Sequence, residues 1–334
     1  LNYRRRPLIM NQTLFIEPRA ANLADGTIKN RTHPITGAQV PWEFLRPGHS
    51  CGIVTAAPNS IFYRSYSAAL VNVEKDTGLQ LFGGTRPGCW NSMIPANGLL
   101  TMQESSAGCT CSYSLRTTIT LKHKPQKEPG EWTVFISDQP TLPVSHMAIN
   151  LGAPGDMRDP NGTLWFGYPR PVTSVGQGTF RNYGVKFDLG ENKDSIVERR
   201  DFRGVTIAGD KRSWLYTSAL TGLQSMKIPL LDDGKEGVYK VRMGFVAEAG
   251  DKAGTRIFDI LLNGKSVAGN VDPFATAGKA GKAVVKEFSG VKVTGTLEVA
   301  LLSMTGDKGP AMQFIEIIRE DIPPTKVTKL NIID

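Results

Sequence analysis

The residues in this 334-residue chain that could do chemistry are four cysteines, four histidines and a scatter of carboxylates. Three cysteines crowd into "GCWNSMIPANGLLTMQESSAGCTCSYS", as Cys89, Cys109 and Cys111, and the fourth lies upstream at Cys51. Zinc sites space their cysteines two to four residues apart and complete the set with further Cys or His; Cys109-Thr-Cys111 lacks that spacing and has no histidine close by. No C-x-x-C-H run is present for covalent haem. An even cysteine count in a strand-rich chain of exported character points instead to two disulfides among Cys51, Cys89, Cys109 and Cys111. In a strand Cys109 and Cys111 face the same side, so each is expected to bridge outward, and the pairing with Cys51 and Cys89 stays open.

Nucleophilic catalysis needs a base beside the nucleophile and a group that orients the base. His33, His49, His123 and His146 are the only histidines, and none sits in a G-x-S-x-G or comparable frame. "GDMRDPNG" gathers Asp156, Asp159 and Asn161, oxygen ligands of the kind calcium loops use, but without EF-hand spacing or a distal Glu. An Asx-turn is the simpler reading, and calcium is the only cofactor the sequence raises.

The elements that must position these residues are strands. Hydrophobic residues make up 40% and charged residues 21%, the balance of an ordinary globular protein. Gly 35 and Pro 21 punctuate the chain into short runs such as "SIFYRSYSAALVNV", "GVYKVRMGFVAEA" and "GTLEVALLSM", rich in β-branched and aromatic residues. Helical periodicity over 12 or more residues is hard to find, so the chain reads as all-β. No apolar run approaches the roughly 18 residues of a membrane span. The net charge of +8 invites a nucleic-acid reading, but the basic residues are dispersed and no nucleic-acid-binding motif accompanies them. "LNYRRRPLIM" has neither an initiator Met nor a signal-peptide core, so the chain is expected to be a piece of a longer exported polypeptide.

Residues 1–126 contain "ALVNVEKDTGLQLF", "RTHPITGAQVPWEFLRPGHSCG", "FGGTRPGCW", "IPANGLL" and "SAGCTCSYSL". Together these resemble the closing blades of PQQ-like β-propellers exported by bacteria, which implies a partial propeller of about two four-stranded blades. The other blades would lie on a missing segment or a separate chain. Residues 127–145, "KEPGEWTVFISDQPTLPVS", read as a linker or tether, in which "WTVF" has the composition of one strand for either neighbour. Residues 146–320 resemble a malectin-type carbohydrate-binding domain, a jelly-roll β-sandwich, through Phe245, Glu248, Gly254, Arg256, Phe258, Asp259, Gly264, Asp272, Ile315, Glu316 and Ile317. Residues 321–334 form a tail that the Pro pair in "DIPPTKV" separates from the last strand.

The malectin-like resemblance implies sugar recognition by loop aromatics and polar groups. Trp165, Phe166, Tyr168, Asn182, Tyr183, Trp214 and Tyr216 are the ligand-binding candidates, each with core packing as the competing role. Glu248, Asp259 and Asp272 could supply paired carboxylates for glycoside hydrolysis, but in this frame they fall on strands and turns that they more simply hold. The expected function is a non-catalytic carbohydrate- or surface-ligand-binding and assembly module, periplasmic, secreted or on the cell surface, with carbohydrate and the remaining blades as partners. Two rivals stand beside it: the C-terminal part of a quinoprotein or polysaccharide-processing enzyme with its active site upstream, and a purely structural subunit.

Overall fold

A computed structural model describes residues 6–48, 50–104, 117–123, 131–170, 183–189, 197–305 and 308–324. In the first half, short runs separated by tight turns form antiparallel meanders. Strands β1 (Leu8–Met10), β2 (Thr13–Ile16) and β3 (Arg19–Asn22) make one sheet, and β4 (Asn30–Thr32) pairs with β5 (Gln39–Pro41). Strands β6 (Thr55–Ala57), β7 (Ser60–Ser65), β8 (Ser67–Asn72) and β9 (Leu79–Phe82) follow in consecutive order as a four-stranded sheet. Strands β10 (Ile94–Ala96), β11 (Leu99–Met102) and β12 (Ile119–Lys122) form another of three.

These sheets stack face to face. Side chains alternate across a strand, so in β7 Ile61 and Tyr63 point one way and Phe62 the other. Ile61, Tyr63 and Val71 pack on Met10, Phe15 and Ala20 of the β1–β3 sheet together with Trp42 and Phe44. Phe62 and Ala68 pack on Met93, Leu100 and Met102 next to the β10–β12 sheet. Every residue of β7 is therefore buried. Stacked sheets stand where the sequence suggested about two blades, and among the described residues no sheet closes into a ring.

Residues 131–145, expected as part of a linker, form a strap whose residues Thr133, Phe135, Ser137, Val144 and Ser145 are buried. Val134 and Leu79 exchange both backbone hydrogen bonds at 2.8 Å, and Thr133 and Asp156 do the same at 2.9 and 2.7 Å. Gly78 permits this crossing, since a Cβ there would lie 2.7 Å from the Val134 carbonyl oxygen. Further along, Ser137 Oγ, the Asp138 backbone N–H and Gln139 Nε2 all donate to the Glu43 carboxylate, which also takes Arg19 at 2.8 Å. Burial pushes the Glu43 carboxyl up, but these donors more than offset it and hold it below its ordinary value.

The second half is a sandwich. Its strands begin with β13 (His146–Leu151), β14 (Met157–Arg158), β15 (Leu164–Tyr168), β16 (Lys186–Asp188), β17 (Val197–Arg199), β18 (Ser218–Thr221) and β19 (Ser225–Pro229). They continue with β20 (Glu236–Val246), β21 (Ile257–Leu262), β22 (Lys265–Val271), β23 (Ala283–Thr294), β24 (Thr296–Thr305), β25 (Ala311–Met312) and β26 (Phe314–Arg319). One helix, α1 (Pro273–Ala277), interrupts them. A six-stranded sheet in the order β14-β15-β13-β26-β20-β23 faces a five-stranded sheet, β16-β19-β24-β21-β22. Tyr239, Val241, Met243 and Phe245 alternate inward along β20 and meet Phe258, Ile260, Val299 and Leu301 in one core. Strands β17, β18 and β25 form a small third sheet.

Among the described residues no disulfide is found. The Cys89 sulfur accepts from Arg64 Nη1 at 3.0 Å and Arg86 Nη2 at 3.7 Å. Cys109 and Cys111, the expected partners of Cys51 and Cys89, lie outside the described residues.

Strap and sandwich meet at one buried ion pair. Arg170 Nη1 and Nη2 contact Asp156 Oδ1 and Oδ2 at 2.7 and 3.1 Å, with the two side chains 1% and 2% exposed. Removing one partner would strand the other charge in a low-dielectric site. Arg170→Met is expected to lower the unfolding free energy by about 3–5 kcal/mol, measured by denaturant titration. A loss below about 1 kcal/mol would show that the pair contributes no more than an exposed one.

Candidate functional site

The aromatic residues singled out from the sequence fall into two groups, both buried. Phe166, Tyr168 and Tyr183 sit in the sandwich core, with the Arg170 guanidinium 5.5, 5.9 and 5.2 Å from their ring centroids. Trp165, Trp214 and Tyr216 gather on the outer face of the six-stranded sheet with Phe314, forming a second small core. Trp165 meets Trp214 and Phe314 edge-on at 6.2 and 5.2 Å, and Tyr216 meets Phe314 at 5.5 Å. Trp165, Trp214 and Tyr216 are 0%, 4% and 2% exposed, so none offers a ring face to a sugar. Asn182 lies outside the described residues.

Two local features build this aromatic floor. The residues 200–217 cross the sheet and end in a 3-10 turn, Ser213–Tyr216, that drives Trp214, Leu215 and Tyr216 inward. Gly244 on β20 leaves room for the Phe314 ring, which a Cβ would meet at 2.0 Å. At the edge of the floor Trp132, half-buried, extends the series from the strap and meets Trp214 edge-on at 6.1 Å.

Around the floor runs a polar rim, and it is the part that reaches solvent. Arg212 contacts Asp210 at 3.1 Å and Asp159 at 3.4 Å, with its guanidinium 5.3 Å from the Trp165 ring centroid. The Tyr216 hydroxyl donates to Asp210 Oδ2 at 3.2 Å. Burial pulls the Arg212 pKa down, but bonds and charge from Asp210, then the charges of Asp159 and Glu316, raise it overall. Next along the sheet, Glu316 holds His146 Nε2 at 3.0 Å on one oxygen and pairs with Arg242 through the other. Arg242 also reaches Glu287 at 3.0 Å, and Lys240 reaches Glu287 and Glu320 at 3.4 and 3.9 Å. Strand pairing dictates this ladder, because Arg242 lies directly opposite both Glu287 and Glu316 in register.

Hydroxyl-rich ligands are bound by such arrays of carboxylates and guanidiniums next to an apolar surface, which take hydroxyls in pairs. The ladder was legible in "EGVYKVRMGFV" and "FIEII", where charged residues alternate with apolar ones. Asp210 and Arg212 carried no pattern of their own in the sequence.

At "GDMRDPNG" the structure forms the Asx-turn. Asp156 is committed to Arg170 and to the backbone N–H groups of Phe135 and Gly167, at 2.7 and 2.9 Å. Asp159 Oδ1 accepts from the Asn161 and Thr163 backbone N–H groups as an Asx-turn, while Oδ2 accepts from Trp165 Nε1. Asn161 is exposed at the turn tip. Among the described residues no group of three or more His, Cys, Asp or Glu side chains is arranged to hold a metal.

The carboxylates considered for hydrolysis hold loops. Asp272 caps α1 through the Ala275 N–H at 3.0 Å and takes the Gly254 N–H at 2.7 Å. Asp259 accepts from the Asn270 N–H at 2.8 Å, and Glu248 pairs with Arg200. Arg256 spans the same loops, from Asp251 at 3.1 Å to the Gly309 carbonyl at 2.6 Å.

Comparison with known proteins places these features in a family. The Malectin domain family matches residues 145–314. No curated protein matches. Among solved structures, a calcium-binding mutant of Bacteroides uniformis β-glucuronidase 2 is 14% identical, covering 78% of this chain and 27% of its own, with a TM-score of 0.40. The ANX2 ectodomain from Arabidopsis thaliana is 16% identical over 52% of this chain and 49% of its own, with a TM-score of 0.34. The plant receptor-like kinase ANX1 is 14% identical over 52% of this chain and 48% of its own, with a TM-score of 0.38. The chain thus spans from about a quarter to about half the length of these structures.

The Glu316 site makes a pH-dependent prediction. Burial pushes the Glu316 carboxyl up, but the His146 hydrogen bond and the charges of His146 and Arg242 hold it below the ordinary value of 4.5. A depressed carboxylate stabilises fully above its unfolded pKa and loses that contribution as pH falls through the folded one. Wild-type protein is therefore expected to lose more stability than Glu316→Gln between about pH 5 and pH 2, read from urea midpoints. Parallel curves would remove Glu316 as a charged anchor of the rim.

Proposed function

The chain belongs to the malectin-domain family, and from that premise we propose that it is a non-catalytic recognition module that binds carbohydrate on the outer face of its six-stranded sheet. The family match across residues 145–314 carries the reading. The rim described above supports it: Arg212, Arg242, His146 and Glu316 supply donors and acceptors, and Trp132 is a half-buried ring at the edge of the aromatic floor, against Trp214. A periplasmic, secreted or cell-surface location belongs to the same proposal, and no helix among the described residues is long and apolar enough to cross a membrane.

A glycan array followed by calorimetry tests the reading. Binding of at least one oligosaccharide is expected, weakened about tenfold or more in Trp132→Ala and in Arg242→Ala, with unchanged far-UV circular dichroism. Absence of binding to any sugar at millimolar concentration would overturn it in favour of a structural role.

A second reading, assembly with further blades of a PQQ-like propeller, is favoured by one observation. On the outer side of the β1–β3 sheet, Ile9 lies opposite Leu14, Leu14 opposite Ala21, and Ala21 opposite Ile28. This apolar row is flanked by Ile16 and Leu23, and Ile9 is 59% and Ile28 42% exposed. Within the molecule such sheet faces are covered by other antiparallel sheets, on both sides of β6–β9. At the opposite end of the stack the exposed side is more polar, with the Thr101 and Thr120 hydroxyls bonded at 3.1 Å. An Ile9→Lys, Ile28→Lys double variant is expected to abolish reversible self-association of the isolated chain in sedimentation velocity. A wild-type chain that stays monomeric and binds no hydrophobic dye would remove the support for this reading.

A further inference from the structure

The seam between strap and first-half stack encloses a cavity of about 20 Å³, lined by Arg31, Glu43, Tyr63, Asp76, Val134 and Phe135 among others. A single water needs roughly 10–15 Å³ and two to four polar partners. Arg31 is 3% exposed and makes one ion pair, from Nη1 to Asp76 Oδ1 at 3.1 Å. That oxygen is already shared with Trp42 Nε1, which donates at 3.0 Å. Nε and Nη2 of Arg31 are buried and meet no protein acceptor among the described residues. Phe135 of the strap lies against the guanidinium, 4.5 Å from its central carbon to the ring centroid. A charged donor that is buried and left without an acceptor costs its full desolvation, so both nitrogens call for an oxygen.

We propose that this cavity is a solvent-binding site holding one ordered water, which accepts a hydrogen bond from Arg31 and donates its own hydrogen bonds to oxygens of the cavity wall. The charge around the cavity selects a neutral occupant. A cation would meet the Arg31 charge, and an anion the charges of Asp76 and Glu43, residues that line the same space. Glu43 is already satisfied by Arg19, Ser137, Asp138 and Gln139, so the water completes Arg31 rather than Glu43. The strap would then be held to the stack by a wet contact as well as by its backbone bonds to Leu79.

The test is a crystal structure of the full chain at a resolution that shows ordered solvent, from crystals grown with and without bromide. One solvent peak is expected at about 2.7–3.2 Å from Arg31 Nε or Nη2, with no anomalous signal in bromide and loss of the peak in Arg31→Met. An empty cavity, an anomalous bromide peak, or an Arg31 side chain turned so that both donors meet protein oxygens would each overturn the proposal. The wild-type maps decide alone if the variant does not fold.

Discussion

Asp156 receives four donors in a place with almost no solvent: both terminal nitrogens of Arg170 and the backbone N–H groups of Phe135 and Gly167. Those partners belong to different parts of the chain, the strap, strand β15 and the segment just after it. The backbone of Asp156 pairs with Thr133, and one residue later Val134 pairs with Leu79 of the four-stranded sheet. A single carboxylate therefore sets where the strap lies against the sandwich, and the strap sets where the sandwich lies against the stack. Buried ion pairs add little net stability over well-packed apolar groups, but they penalise every arrangement that separates them. Here that penalty falls on any displacement of the strap, including one that would carry Trp132 away from Trp214.

The same logic separates what the sequence disclosed from what it hid. Period-two alternation in "YKVRMGFV" and "TLEVALL" revealed the strands and their inner faces, because a sheet with one buried face imposes that pattern directly. The family motif of Phe245, Gly254, Arg256, Phe258 and Asp272 located the sandwich, and the structure shows why those residue types occur together. Phe245 and Phe258 pack on each other in the core, while Arg256 and Asp272 tie neighbouring loops. Of the strap only "WTVF" was legible, as a strand for either neighbour, and Thr133 and Val134 pair with Asp156 and Leu79. Its Pro and polar residues look like a tether in one dimension, and its role rests on partners such as Glu43, about 94 residues away in sequence. Cysteine arithmetic is blind in a related way: a count suggests bridges, whereas guanidiniums 3.0 and 3.7 Å from the Cys89 sulfur are visible only in three dimensions.

For the aromatic candidates the burial matches the competing role of core packing. Gly and Pro around Trp165 and Tyr168 read as loop, yet "LWFGY" is a strand buried along its whole length. A strand covered on both faces loses alternation and appears in sequence as a continuous apolar run. One face of β15 meets the sandwich core and the other meets residues 200–217. The second cover comes from residues with no hydrophobic periodicity, so nothing near Trp165 announced it.

A rigid floor beneath a polar rim changes how the charge of this protein should be read. The chain carries a net charge of +8, which by itself favours acidic ligands. Around the rim the balance reverses: Asp159, Asp210, Glu287, Glu316 and Glu320 outnumber Lys240, Arg212 and Arg242. Screening limits the reach of distant charges to about 8–10 Å at ordinary ionic strength, so a ligand on the rim responds to these groups more than to the remote lysines. A polyanion would meet an excess of carboxylates there, each already fixed by an arginine, lysine or histidine or by backbone donors. Hydroxyl groups meet no such penalty, since they can donate to those carboxylates and accept from the guanidiniums without bringing charge of their own.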